Sequence, residues 1–294
     1  MVELRVGVLG ASSLVGRCVL PLLRDAGWHV MAYTRQPQQR DELGVSWLLL
    51  PTGASGRPIS QDSAVVTPYW ICVAPIWVLP DYFSLIEASG AQRVVVLSST
   101  SRFTKVGSGD LAENAVAAKL IESEARGQAW AAERGIEWVV LRPTLIYGLG
   151  RDKNISEIAR FICRFGFFPL LGRARGLRQP IHAEDVAAVS VAALQAPAAT
   201  NRAYNISGGE TLTYRDMVVR VFAALDLQPR LLTVPLWTFH LAVSVLRCLP
   251  RYRQWTAAMA ERMNRDLVFD HADAARDIGF NPRSFSIFPG DIAK

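Results

Sequence analysis

The chain has 294 residues, half of them hydrophobic and a fifth charged, which suits one large core or two fused ones and excludes a disordered chain. Its cysteines, Cys18, Cys72, Cys163 and Cys248, and its histidines, His29, His182, His240 and His271, keep no short paired spacing, so neither a disulfide framework nor a metal site is expected. The formal charge of +6 comes mostly from arginine and is spread along the chain, which argues against nucleic acid as a partner; arginine's planar fork suits phosphate and carboxylate ligands, although a GC-rich genome produces the same bias.

Met1 leads almost directly into the alternating run Leu4 to Leu9, with no charged segment followed by an apolar core, so a cytoplasmic location is expected. Strands are predicted at Leu4 to Leu9, His29 to Thr34, Tyr69 to Ala74, Arg93 to Ser98 and Glu137 to Arg142. Between the first two, Leu14, Val15, Cys18, Val19, Leu22, Leu23 and Ala26 recur three and four apart, the period of one helix face, with Gly27 placed to end the helix and Pro21 expected to kink it. A second helix is expected from about Leu111 to Arg134, closed by Gly135, and Thr213-Tyr214-Arg215-Asp216 reads as an approximate capping box opening a helix through Leu225. Short β-branched runs alternating with helices predict an α/β fold, a Rossmann-type doubly wound parallel sheet. The expected division is a dinucleotide-binding domain over 1–165 and a mixed region over 166–294 that completes the sheet and forms a smaller, interleaved substrate part.

Gly10-Ala11-Ser12-Ser13-Leu14-Val15-Gly16 follows a predicted strand and opens a predicted helix, the context a pyrophosphate-binding turn needs. The run Leu9 to Gly16 resembles the Thr-Gly-x-x-Gly-x-x-Gly turn of the extended and atypical short-chain dehydrogenase/reductases, the NAD-dependent epimerase/dehydratase family, with Ser13 in place of the middle glycine and Leu9 in place of the threonine. Val94 to Ser99 is similar to that family's strand and catalytic serine region, Leu141-Arg142-Pro143-Thr144-Leu145-Ile146-Tyr147-Gly148 to its Arg-Pro-x-x-x-Tyr-Gly segment, and Gln179 to Ala187 and Tyr204 to Thr213 continue the match. The resemblance implies NADP or NAD as cofactor, held by Gly10, Ser12, Ser13, Leu14, Val15, Gly16, Ala74, Lys119 and Pro143. Arg35, at the end of the second strand where an NAD-selective site presents a carboxylate, points to NADP, with Arg17 as a second basic group nearby.

The family's Tyr-x-x-x-Lys pair puts both side chains on one helix face; here Lys119 is preceded at that spacing by Ala115, which carries no proton. Ser99 and Lys119 are the catalytic candidates, and Thr100, Tyr147, Arg175 and Arg178 the substrate-binding ones, the arginines for a substrate diphosphate. Each has an ordinary reading as well: the hydroxyls of Ser98 to Ser101 as turn caps, Lys119 as surface charge, the arginine loop as solvated, and Thr104 and Lys105 as loop residues that could supply the missing chemistry. His182 and Asp185 read as a structural turn.

Two functions follow. One is an NAD(P)-binding oxidoreductase or epimerase-like enzyme acting on a nucleotide-linked sugar or a related alcohol or ketone; the other is a non-catalytic dinucleotide-binding protein, as an atypical relative is in respiratory complex I. A homodimer is compatible with either. The aromatic run Phe161 to Leu171 and the apolar run Leu236 to Leu249, flanked by Arg247, Arg251 and Arg253, are too short to span a bilayer and suit core helices or a peripheral membrane contact.

Overall fold

The structure, a computed structural model, describes residues 4–36, 43–50, 65–235 and 262–292. In chain order, β1 (Arg5–Leu9), α1 (Leu14–Asp25), β2 (His29–Thr34), β3 (Val45–Leu49), β4 (Tyr69–Cys72), α2 (Phe83–Ala88), β5 (Arg93–Leu97), α3 (Ser101–Thr104), α4 (Leu111–Glu133) and β6 (Glu137–Pro143) build the first half. The second half runs β7 (Ile146–Tyr147), α5 (Ile155–Phe165), β8 (Phe168–Leu171), β9 (Leu177–Arg178), β10 (Ile181–His182), α6 (Ala183–Ala192), β11 (Arg202–Ile206), β12 (Leu212–Thr213), α7 (Tyr214–Ala224) and β13 (Leu231–Val234).

The seven-stranded sheet has the order β11-β6-β5-β4-β1-β2-β3, every neighbouring pair parallel. Parallel strands covered on both faces read as continuous apolar runs, and all five residues of β5 are buried. Successive residues point to opposite faces, so Val95 and Leu97 join α1 and α6 in one core while Val94 and Val96 join α4 in the other. β3 and β11 extend the sheet beyond the five strands expected, and β11 brings residues of the second half into it. Pro21 lies inside α1 on its exposed side, and the helix runs on to Asp25.

A third core forms where Ile155, Ile158 and Ile162 of α5 meet Met217, Val221 and Phe222 of α7, with Tyr147, Phe168 and Phe285. Residues 155–165 therefore pack with the second region, and the division expected at 165 runs between α5 and the β8 strand that shares its core. Half of the expected capping box forms: Thr213 Oγ1 accepts from Asp216 N at 3.0 Å and opens α7, while the Asp216 carboxylate takes the Thr213 hydroxyl at 2.6 Å.

Candidate functional site

β1 delivers the chain to Gly10 at the point where the strand order reverses between β1 and β4, the crevice where open α/β sheets take ligands. Gly10 has φ +84°, and a Cβ there would stand 2.6 Å from Ala74 N at the end of β4; one at Gly16 would stand 2.4 Å from Gly10 O. Ser13 N donates to Gly10 O at 2.9 Å, and Ser13 Oγ accepts from Gly16 N at 3.1 Å, so the serine that replaces the middle glycine caps α1. Leu14 and Val15 are the first helical residues, whose amides have no carbonyl one turn back, and they stand at the positive end of the helix dipole. This cradle fits the pyrophosphate of a dinucleotide. Gly10→Ala is expected to cost about 1–3 kcal/mol through the left-handed φ and the contact with Ala74, and to lose the stabilisation that added dinucleotide gives in a thermal melt.

Beside the cradle, a cavity of about 490 Å³ opens at the carboxyl ends of β5 and β6. Ser99, Thr100, Ser101, Thr104 and Lys105 form one wall and Thr144, Leu145, Ile146 and Asn154 another; Arg178, Gln179, Tyr214, Arg262 and Phe269 close it. Its charged lining residues are Lys105, Arg178 and Arg262, with no carboxylate among the described residues. Ser99 Oγ accepts from Ser101 N at 3.1 Å, opening α3, while its proton remains for a ligand. Thr100 is buried, and both its amide and its hydroxyl donate to Pro143 O at 3.1 Å, so it ties β5 to β6 with its hydroxyl already committed.

Arg178 is buried beneath Tyr214, its guanidinium 5.6 Å from the ring centroid, and donates to the carbonyls of Leu177, Arg265 and Arg262. Burial lowers its pKa to about 10, which still leaves it charged at neutral pH, and burial pushes the Tyr214 phenol up to about 12 against the pull of Arg178 and Arg262. The segment 262–269 is stitched across the cavity by Asn264 Oδ1 to Ala174 N at 3.0 Å, Asp266 Oδ1 to Leu177 N at 2.8 Å and Gln179 Oε1 to Phe269 N at 2.7 Å. The glycine-broken loop read as solvated is thus partly tied down, although Arg173 and Arg175 themselves are exposed and Arg175 does not line the cavity.

Lys119 and Ala115 are not brought to this cavity. α4 buries Ala117, Leu120, Ser123 and Glu124, and residues 115 and 119 turn out of that face. The Lys119 ammonium lies 4.9 Å from the centroid of the Trp77 ring, a cation–π contact on an exposed surface. Tyr147 is fully buried, its hydroxyl donating to Ser286 O at 3.0 Å, and burial pushes its pKa up to about 12; it braces the wall behind Ile146. Arg35 is exposed at the end of β2, where its charge pulls down the pKa of the Tyr82 phenol that burial and Asp81 push up.

Sequence reasoning missed the polar centre behind the serine cluster. Glu124 of α4, almost wholly buried, accepts from Ser98 Oγ and Arg102 and receives Arg142 Nε at 3.1 Å and Nη2 at 2.7 Å. Both guanidinium groups also lie against Phe103, at 5.1 and 5.4 Å from its centroid. The signal was a carboxylate four residues from Leu120, on the apolar face.

His182 is structural, as expected of its turn. Its Nδ1 accepts from Glu184 N at 3.2 Å, capping α6, which leaves Nε2 to donate to Asp291 Oδ1 at 3.0 Å. Burial works against the Asp291 carboxylate, but the amides of Phe288 and Leu149 and the imidazole hold its pKa below the ordinary range. A depressed carboxylate contributes stability above its unfolded value of about 4 and loses it as pH falls through the lower folded value. Asp291→Asn should remove that increment, making urea-unfolding stability less dependent on pH across the acid range.

Residues 82–207 match the model of the NAD dependent epimerase/dehydratase family. Over 124 residues the chain is 28% identical to a UDP-glucose 4-epimerase of Vibrio cholerae, covering 42% of this chain and 38% of that protein. Over 100 residues it is 27% identical to NADH dehydrogenase [ubiquinone] 1 alpha subcomplex subunit 9, mitochondrial, of Arabidopsis thaliana, covering 34% of this chain and 25% of that one. The matches thus span well under half the length of these curated relatives. MoeE5, solved in complex with UDP-glucose and NAD, superposes with a TM-score of 0.68 at 20% identity over 96% of this chain and 94% of its own, a likeness of fold. Residues 82–207 thus resemble the NAD dependent epimerase/dehydratase family, and the seven-stranded parallel sheet is of the fold found in solved epimerases.

Proposed function

We propose that the protein is an NAD(P)-dependent oxidoreductase or epimerase-like enzyme acting on a nucleotide-linked sugar or a related phosphate-bearing alcohol or ketone. The observation that carries this reading is the cavity itself, where Ser99 and Ser101 meet Lys105, Arg178 and Arg262 beside the glycine cradle. Three cations without a lining carboxylate favour an anionic ligand, and UDP-glucose in MoeE5 is of that kind.

A bound nicotinamide dinucleotide supplies or takes up the hydride. Gly10, Leu14, Val15 and Gly16 would hold its pyrophosphate, with Ser13 fixing the helix start; Ser12, Ala74 beside Gly10, and Pro143 at the end of β6 would complete its binding. Ser99 holds the substrate oxygen through its free proton. Lys105, one helical turn beyond Ser101 on α3, gives that oxygen a proton during reduction and takes it back during oxidation, the work Ala115 cannot do.

NADP is the preferred cofactor in this reading, because Arg35 at the end of β2 can pair with a 2'-phosphate. Calorimetric titration should find NADP bound more tightly than NAD, with Arg35→Ala weakening NADP about tenfold and leaving NAD unchanged; equal affinities for both would overturn the preference. Turnover of UDP-glucose and UDP-glucuronic acid with either cofactor tests the enzyme itself.

A second reading is favoured by one observation. Ala115 and Lys119 are exposed and do not line the cavity, and the alanine at position 115 has no proton to give, which supports a protein that binds a dinucleotide without turning it over. Tight dinucleotide binding with no single-turnover hydride transfer would establish it.

A further inference from the structure

We propose that the aromatic end of α5 is a docking surface for an anionic phospholipid bilayer. This stands apart from the cofactor and substrate readings. α5 buries Ile155, Ile158 and Ile162, and its last turn then carries Phe161, Arg164 and Phe165 to the Gly166 turn, beyond which Phe167 follows. The rings of Phe161 and Phe165 lie 4.6 Å apart by centroid, and Phe167 lies 5.8 Å from Phe161 and 6.4 Å from Phe165. Phe165 is nonetheless 51% exposed, and Leu232, on the β13 strand that pairs with β8 just after this cluster, is 55% exposed. Scattered exposed apolar side chains need no explanation, but contiguous rings at a turn mark a contact surface.

The charges around it select the occupant. Arg164 is exposed with its guanidinium 5.3 Å from the Phe165 centroid, and Arg230 is exposed where its carbonyl receives Phe168 N at 2.9 Å. Glu157, on the same helix, is paired with Arg160 at 3.0 Å, and Asp226 ends the turn after α7. Residues 227–235, which carry β13, contain Arg230 and no aspartate or glutamate. Aromatic and aliphatic groups rimmed by arginine match the boundary between acyl chains and anionic headgroups. No helix among the described residues is long and apolar enough to cross a membrane, so the contact is with the surface.

The test is co-sedimentation of the full chain with vesicles of phosphatidylcholine alone and of phosphatidylcholine mixed with phosphatidylglycerol. Binding is expected only to the anionic vesicles and should weaken as salt rises. Phe165→Asp with Leu232→Asp should lower the affinity at least about tenfold, and Arg164→Ala about fivefold. Leu43→Asp, at a 95% exposed position before β3, should leave it unchanged. No binding to anionic vesicles, or binding that the Phe165/Leu232 variant retains in full while its thermal melt is unchanged, would overturn the proposal. So would a concentration-dependent dimer by sedimentation equilibrium that this variant alone abolishes, which would give the surface to a second copy.

Discussion

Replacing Glu124 by leucine is expected to lower the free energy of unfolding by about 2–4 kcal/mol, more than any other single side-chain change considered. The carboxylate is only 2% exposed, whereas the Arg102 and Arg142 side chains that share it are 20% and 15% exposed. Removing the anion leaves two guanidinium charges close together with little water to screen them, and Ser98 loses its acceptor. Breaking one partner of such a group is costly because the others remain buried and uncompensated, while the intact group offsets its own desolvation with little to spare. Replacing Glu124 by leucine together with both arginines by methionine should therefore recover most of the loss. Urea unfolding at neutral pH measures this directly, provided the slope with denaturant stays constant. A single variant within about 0.5 kcal/mol of the parent, the ordinary range for surface changes, would mean that water reaches the arginines and the cluster contributes little.

The same cluster marks the limit of what the sequence makes legible. The central strands could be read because each is buried on both faces and its whole run is apolar, as in Val94-Val95-Val96-Leu97. β3 escaped because it is an edge strand whose pattern, Val-Ser-Trp-Leu-Leu, has no neighbour on one side to demand continuous burial. β11 was visible only as part of a family-like segment, since Arg202 and Asn205 interrupt its apolar pattern. The glycine cradle was legible because Gly10 and Gly16 are required by backbone approaches of 2.6 and 2.4 Å, which no other residue type satisfies. Ser13 was legible as a departure but not as a cap, because its capping bond depends on a φ of −69° and ψ of 171° that composition does not reveal.

The cavity's far wall was hidden for a different reason. Arg178 was chosen for its charge, yet its donors meet carbonyls of residues 262 and 265, and Asn264 and Asp266 return the contact to Ala174 and Leu177. Such bonds join segments about ninety residues apart and leave no periodicity in either. Lys119 shows the converse. Its four-residue spacing from position 115 was correct as helix geometry, but spacing fixes which residues share a face and not which face meets the cavity. Lys105 was weighed as loop decoration, and one turn of helix, α3, is what turns it onto the wall that holds Ser99.

If the proposed chemistry is right, Lys105→Met and Ser99→Ala should each slow single-turnover hydride transfer by about 100-fold to 10,000-fold, the range that a general acid or base contributes. Both residues line the cavity, and α3 connects them: Ser99 Oγ accepts from Ser101 N, and Lys105 N donates to Ser101 O at 3.1 Å. The remaining cavity groups cannot take over the proton. Arg178 already spends its donors on the carbonyls of Leu177, Arg262 and Arg265, and the Tyr214 phenol, pushed to about 12 by burial, stays protonated and can only donate a hydrogen bond. Lys119→Met should leave the rate within about twofold, because an exposed lysine resting on Trp77 contributes at most about 1 kcal/mol of local stability. Ala115→Tyr should not accelerate the parent either, since position 115 is exposed and is not among the residues that line the cavity. The four variants would be compared on UDP-glucose and simple ketones, with dinucleotide affinity measured separately so that binding and rate are not confused. An unchanged rate in Lys105→Met would remove Lys105 from the mechanism, and a fall in Lys119→Met would return the chemistry to the helix that carries the family's Tyr-x-x-x-Lys pair. A parent that binds dinucleotide tightly yet transfers no hydride, and gains the reaction only as Ala115→Tyr, would be a binding protein whose catalytic helix has lost its tyrosine.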